Sequence, residues 1–189
     1  MSKPMIGTKV AVLVAGGFDQ THLTAIQRAL IEAGAAVRLV SPDQGLVNGW
    51  DGENWGHNFA VDATLNTALG VDYGCLVVPG GRRSLEKLKL TAHTRRFIGS
   101  FMAAMKPVAV MGDAVNLMAM SEQLAGRTVA GATECQEAAE KAGAEWSKDV
   151  VCVDGALMTG SCEADTLKAY VEALIEHFVH SSMMDQQAA

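Results

Sequence analysis

Residues 9–15 read K-V-A-V-L-V-A, a short unbroken apolar run that ends in Gly16-Gly17. Without water-facing alternation, such a run predicts a parallel strand buried on both faces. The period then changes: over residues 21–33, Leu23, Ile26, Leu30 and Ala33 recur at helical spacing, and Gly34 supplies a left-handed stop. Residues 36–40 predict a second strand. Further on, the pattern predicts a strand at 75–78, a helix over 95–105, a strand at 108–111 and a helix from Asp113 towards Met120. Residues 128–130, 150–153 and 157–159 read as further strands, and a helix over 165–179 closes the series. This alternation predicts an α/β fold with a doubly wound, mainly parallel sheet sandwiched by helices and joined by right-handed crossovers.

Two stretches break the rhythm. Residues 45–59 are rich in Gly, Asn and Asp and carry Trp50 and Trp55, which predicts a hairpin or long excursion. Tryptophans in such a polar segment commonly end in an interface. Residues 181–189 are polar and show no core-forming pattern, so the ordered domain is expected to span 1–180 and the rest to form a disordered tail.

Composition narrows the function classes. The chain has 189 residues, 49% of them hydrophobic, enough for one substantial core but short for two domains. Its net charge of -6 would repel a phosphate backbone, so nucleic acid is not an expected partner. The apolar runs fall short of the roughly 18 residues of a membrane span. No secretory pattern opens the chain, and a cytoplasmic location is the expectation. The four cysteines, Cys75, Cys135, Cys152 and Cys162, form no C-x-x-C pair, and the five histidines show no metal-ligand spacing. No metal and no cofactor are implied. Cys75 and Cys152 sit in apolar runs, which leaves Cys135 and Cys162 as the thiols to consider for reactivity.

In an open α/β sheet, sites form beyond the carboxyl ends of the strands. The first such turn, A-G-G-F-D, lacks G-x-G-x-x-G and a phosphate-loop lysine. The next, Pro79-Gly80-Gly81-Arg82-Arg83, offers backbone N–H groups and two cations for an anion, or is simply a glycine turn with solvated arginines. The third, V-A-V-M-G-D-A-V, carries a buried strand into a helix through one sharp bend at Gly112. Bends of this kind present nucleophiles, and glycine accepts the geometry without supplying one. Asp113 follows at a helix start, where the macrodipole alone contributes about 0.3–1 kcal/mol to a carboxylate. It serves either as a cap or as a base or ion-pair partner for Arg82 or Arg83. Cys162, in T-G-S-C-E after the fourth turn, is the one substitute thiol in reach of a cleft.

Taken in order, K-V-A-V-L-V-A with F-D-Q, W-G-H-N-F-A-V-D, D-Y-G-C-L-V-V-P-G-G, K-P-V-A-V-M, A-G-A-E-W and V-V-C-V-D-G-A-L-M-T-G resemble the ThiJ/PfpI superfamily, in its PfpI-like branch. That resemblance spans nearly the whole chain and implies a flavodoxin-like, glutamine-amidotransferase-like fold and a homo-oligomer formed with the help of the region at 45–59. In the family the elbow reads approximately A-I-C-H-G, and a glutamate from the first turn approaches the cysteine. Laid on this sequence, those positions fall on Gly112, Asp113 and Gly17, all three different, while the oxyanion-hole N–H groups fall on Gly81 and the elbow. The G-D-A elbow also resembles the C-terminal domain of large-subunit catalases. Peptidase, glyoxalase and deglycase activities of the family lean on the cysteine and do not carry over.

The sequence therefore predicts a non-catalytic relative that binds or oligomerises, with a stress-related or chaperone-like role implied by the resemblance. The competing expectation is an enzyme that has moved its chemistry to Asp113 or Cys162, acting on a small carbonyl or anionic substrate held by Gly81, Arg82 and Arg83.

Overall fold

The computed structural model describes residues 3–188; Met1, Ser2 and Ala189 lie outside it. In chain order the strands are β1 (Lys9–Leu13), β2 (Phe18–Asp19), β3 (Ala36–Ser41), β4 (Leu46–Trp50), β5 (Trp55–Ala60), β6 (Ala63–Thr64), β7 (Cys75–Val78), β8 (Val108–Met111), β9 (Thr128–Val129), β10 (Glu145–Trp146), β11 (Val151–Asp154) and β12 (Leu157–Gly160). The helices are α1 (Gln20–Glu32), α2 (Arg82–Lys89), α3 (Ala92–Ala103), α4 (Val115–Met120), α5 (Gln136–Lys141) and α6 (Leu167–Ala188). Seven strands form one sheet in the order β11-β12-β8-β7-β1-β3-β6, parallel except for the antiparallel pair β11 and β12.

The unbroken apolar strands are explained by the two cores they feed. Along β1, Ala11 and Leu13 face one core with Leu76, Val78, Val108 and Val110, closed by Leu85 and Leu88 of α2, Phe97 and Phe101 of α3, and Leu117 of α4. Val10 and Val12 face the other core with Val77, Met111 and Met158, closed by Leu23, Ile26 and Leu30 of α1 and Tyr170, Leu174 and Phe178 of α6. Side chains alternate across a strand, so a central strand between two helical layers must be apolar at every position. Tyr170 adds a polar tie within its core by donating a buried hydrogen bond to the Val110 carbonyl at 2.8 Å. That bond fixes α6 against β8 just before the bend at Gly112.

Three segments depart from the sequence reading. Residues 82–89, of which the sequence reading assigns only Arg82 and Arg83, to a glycine turn, form α2, a short helix whose apolar stripe is only Leu85 and Leu88. The strand expected at 128–130 stands outside the main sheet and pairs with β10 in a separate parallel ribbon. The final helix runs to Ala188, through the polar stretch expected to be a disordered tail, with Ser181 and Ser182 donating to the carbonyls of His177 and Phe178. The excursion at 45–59 is the hairpin of β4 and β5, joined by β2 in a three-stranded sheet.

Candidate functional site

The carboxyl ends of β7, β8 and β12 converge with the start of α1 on a cleft of about 550 Å³. Its floor is the bend after β8, a single 3-10 turn (Gly112–Ala114) that leads into α4. Gly112 has φ of 57°, a left-handed conformation that an L side chain rarely adopts, so the sharp elbow expected from the sequence is present and glycine accommodates it. Gly81 is required for a different reason. A Cβ there would lie 2.5 Å from the Asp19 nitrogen and 2.7 Å from the Phe18 Cα, because the β7–α2 turn presses on β2.

The space above the elbow is taken. A Cβ on Gly112 would lie 3.2 Å from the Ser161 carbonyl and 3.3 Å from His22 Cε1. His22 comes from the first turn of α1 and is only 7% exposed. Its ring joins three segments: Gly80 N–H donates to Nδ1 at 3.1 Å, and Nε2 donates to the Cys162 carbonyl at 2.9 Å. Because an amide N–H can only donate, Nδ1 must be bare and the proton sits on Nε2, giving a neutral ring with neither nitrogen free to act as a base. Asp19, the N-cap of α1, accepts from the His22 amide and places its second oxygen 3.7 Å from Nε2.

Asp113 occupies the next donor. Its Oδ1 accepts from Gly81 N–H at 2.9 Å, so the amide that the family resemblance assigns to an oxyanion hole already holds a carboxylate of this chain. Burial pushes the Asp113 carboxyl above its ordinary value, opposed chiefly by the Gly81 N–H. Cys162 also reaches the elbow, in a left-handed conformation of its own at φ of 55°. Its thiol is 4% exposed, and desolvation holds it protonated far above the ordinary range, with the Gly112 N–H offsetting only part of that effect. Cys135, read from sequence as lying in polar surroundings, is fully buried, and burial pushes its thiol up to about 12. The difference arises because the chain at 133–135 turns inward and packs Cys135 against α4 and α5.

The predicted site residues therefore divide. Gly81, Gly112, Asp113, Cys162 and Arg82 meet around the cleft, with Glu134 and Glu163 further along its wall. Gly17 does not meet them: a Cβ there would be 2.4 Å from Arg83 Cβ, and the residue that approaches the elbow from the first turn is His22. Arg83 is also directed elsewhere, its guanidinium stacked 4.1 Å from the Trp50 ring and 5.9 Å from Trp55. Trp50 lines the cleft, while Trp55 is 55% exposed on the hairpin. Sequence reasoning passed over His22. Its signal was the spacing of His22, Ile26 and Leu30, which places the histidine on the buried face of α1. Among the described residues, no group of three or more His, Cys, Asp or Glu side chains is placed to hold a metal ion.

Comparison with known proteins bears on the origin of this arrangement. The sequence profile of the DJ-1/PfpI family matches residues 8–177. The chain belongs to the DJ-1/PfpI family. Among curated relatives, general stress protein 18 of Bacillus subtilis is 28% identical over 162 residues, 85% of this chain and 92% of that protein. The deglycase PfpI of Pyrococcus furiosus is 26% identical over 147 residues, 78% of this chain and 86% of that one. The match to protein DJ-1 homolog D of Arabidopsis thaliana, 31% identical over 129 residues, covers 65% of this chain and only 33% of the plant protein. Among solved structures, a two-domain Anabaena variabilis protein with DJ-1/ThiJ/PfpI-like and ferritin-like domains superposes with a TM-score of 0.82 at 24% identity, over 89% of this chain and 47% of that one. That likeness shows the flavodoxin-like fold shared across the family. The catalase resemblance is weaker: a Pseudomonas aeruginosa catalase matches at 28% identity over 116 residues, 61% of this chain and 15% of the catalase. Within the DJ-1/PfpI frame, Gly112 stands where the resemblance puts the cysteine, with no thiolate beside it.

Proposed function

We propose that this chain is a DJ-1/PfpI protein without the family's thiol chemistry, acting through binding at the cleft or through self-association in a stress-related role. The carrying observation is the elbow floor: Gly112 offers no nucleophile, and Asp113 accepts from the Gly81 amide where a reacting oxygen would need it. Oxyanion stabilisation requires donors aimed at the charge that develops in the transition state. Here that donor has a partner before any substrate arrives. The relative named as a general stress protein supports a stress-related role, and the relative named as a deglycase shares the same family. The exposed Trp55 and the hairpin that carries it support self-association, as expected from sequence. Among the described residues no helix is long and apolar enough to cross a membrane.

The test is turnover of methylglyoxal and of a glycated peptide by the purified chain. No rate above the buffer background is expected. A robust rate that disappears in Asp113→Ala would overturn this reading. It would favour the second one, in which Asp113 acts as a base in the open part of the cleft, a role supported by its half-buried carboxyl and raised proton affinity.

A further inference from the structure

The hairpin of β4 and β5 places Trp50 and Trp55 directly opposite each other across its end. Their rings meet edge to face, with centroids 5.4 Å apart and planes at 88°, and so form an open corner. The turn between them is tied within itself. Asp51 Oδ1 accepts from the Glu53 amide at 2.9 Å and the Asn54 amide at 2.7 Å, and the Asp51 amide donates to the Asn54 carbonyl at 3.1 Å. A cation already stands in the corner: the Arg83 guanidinium lies 4.1 Å from the Trp50 ring and 5.9 Å from the Trp55 ring. Arg83 is exposed and, among the described residues, makes no ion pair. Nor does the hairpin depend on it for attachment. Gly17 N–H donates to the Asn48 carbonyl at 2.8 Å, Gln20 Oε1 accepts from the His57 amide at 2.6 Å, and Phe59 packs edge to face on Phe18 at 5.4 Å. The guanidinium is therefore an exchangeable occupant of a preorganised cation site.

We propose that the corner of Trp50 and Trp55 is a cage for a small solute carrying both a quaternary ammonium and a carboxylate, and that Arg83 fills the cage in its absence. A cavity of about 660 Å³ opens beside the corner, walled by Trp50, Arg82, Arg83 and Glu86. A quaternary ammonium has no N–H, so it needs ring faces and no acceptor. A lysine-like ammonium brings three donors and a tight hydration shell, and the one carboxylate of the wall, Glu86, already accepts from Lys89 at 3.2 Å. A ligand that was only a cation would stand against Arg82 and the displaced Arg83. The ligand's carboxylate removes that repulsion: Arg83 exchanges a ring face for a charge-assisted, bidentate partner. The cavity shares Trp50 and Arg82 with the elbow cleft but not His22, Asp113 or Cys162, so the inference goes beyond the cleft and is independent of its chemistry.

The experiment is nitrogen-15 NMR on the full chain, reading the indole N–H groups and the Arg83 Nε–H while trimethylglycine, tetramethylammonium or acetate is added. Trimethylglycine should move the Trp50 and Trp55 indoles saturably, leave Trp146 in place and carry the Arg83 signal out of its ring-shielded position. In the native chain tetramethylammonium should bind about threefold or more weakly than trimethylglycine, and acetate should leave both indoles unmoved. Arg83→Ala removes the competing occupant, so tetramethylammonium should bind it about threefold or more tightly than the native chain, and the lead of trimethylglycine should shrink. Trp55→Ala should abolish saturable binding of both. Equal affinity of tetramethylammonium for the native chain and Arg83→Ala would overturn the proposal. So would equal binding of tetramethylammonium and trimethylglycine by the native chain, a comparison that needs no variant to fold. Indole shifts that follow protein concentration and ignore all three solutes would assign the corner to self-association and overturn it as well. Methylglyoxal turnover would overturn the non-catalytic reading and leave the cage standing.

Discussion

The floor of the cleft and its rim treat polar groups in opposite ways. At the floor, Gly80 N–H meets His22, Gly81 N–H meets Asp113, and the Cys162 carbonyl accepts from the same histidine. At the rim, Arg82 and Glu134 are exposed and make no ion pair among the described residues. Arg83 and Trp50 form a stacked wall beside them. The floor is a closed set of partners in a half-buried region, where an orphaned amide costs about 1–3 kcal/mol. The rim remains open to solvent, where each group exchanges water for a ligand at little cost. This contrast teaches that the donors around Gly112 are satisfied within the chain, whereas the groups of the rim are left to solvent.

The largest test of that contrast is His22→Ala, which removes both ring hydrogen bonds and leaves a cavity where three segments meet. A loss of about 2–4 kcal/mol in denaturant unfolding is expected. A loss below about 1 kcal/mol would show that the floor is not held by this ring.

Asp113 separates charge from hydrogen bonding. Asp113→Ala orphans Gly81 N–H and should cost about 1–2 kcal/mol, while Asp113→Asn keeps an acceptor and removes a half-buried charge, so it should be neutral or stabilising at pH 7. The pH dependence follows from the upward direction of the shift. The folded carboxyl binds its proton more tightly than the unfolded one, so its contribution to stability is present at acid pH and is lost as pH rises through the folded value. Asp113→Asn should flatten that slope in a pH series of unfolding curves, and an unchanged slope would remove Asp113 as its source.

Gly112→Cys asks whether a thiol alone reopens the chemistry. A side chain at φ of 57° should cost about 1–2 kcal/mol, and the new Cβ presses on His22 and the Ser161 carbonyl. No methylglyoxal turnover is expected, because the neighbouring donors remain occupied. A measurable rate in this single variant would show that the floor is closed only by lack of sulfur. The smallest effects belong to the rim. Arg83→Ala should cost about 0.5–1 kcal/mol through lost stacking on Trp50, and Arg82→Ala should change stability by less than about 0.5 kcal/mol. A larger cost at Arg82 would mean that the rim is structural too.

The central layer was legible because burial on both faces writes itself into local composition, as in K-V-A-V-L-V-A of β1 and C-L-V-V of β7. The elbow was legible for a similar reason: an apolar strand, one glycine and a helical run are contiguous. Helix α2 was hidden because R-R-S-L-E-K-L-K has two apolar positions in eight, and only packing of Leu85 and Leu88 into the core selects the helix. The ribbon of β9 and β10 was hidden because pairing between residues 128 and 145 leaves no local pattern.

By itself the sequence determined that a glycine stands at the sharp bend after β8, since the identity of Gly112 is a local fact and glycine is the residue that the bend tolerates best. Only the tertiary structure decided what stands over that glycine. Gly80 with His22, Gly81 with Asp113 and His22 with Cys162 are contacts separated by 58, 32 and 140 residues. Contacts at such range are set by how the sheet brings its carboxyl ends together, and a side chain carries no mark in sequence of the amide it will meet there.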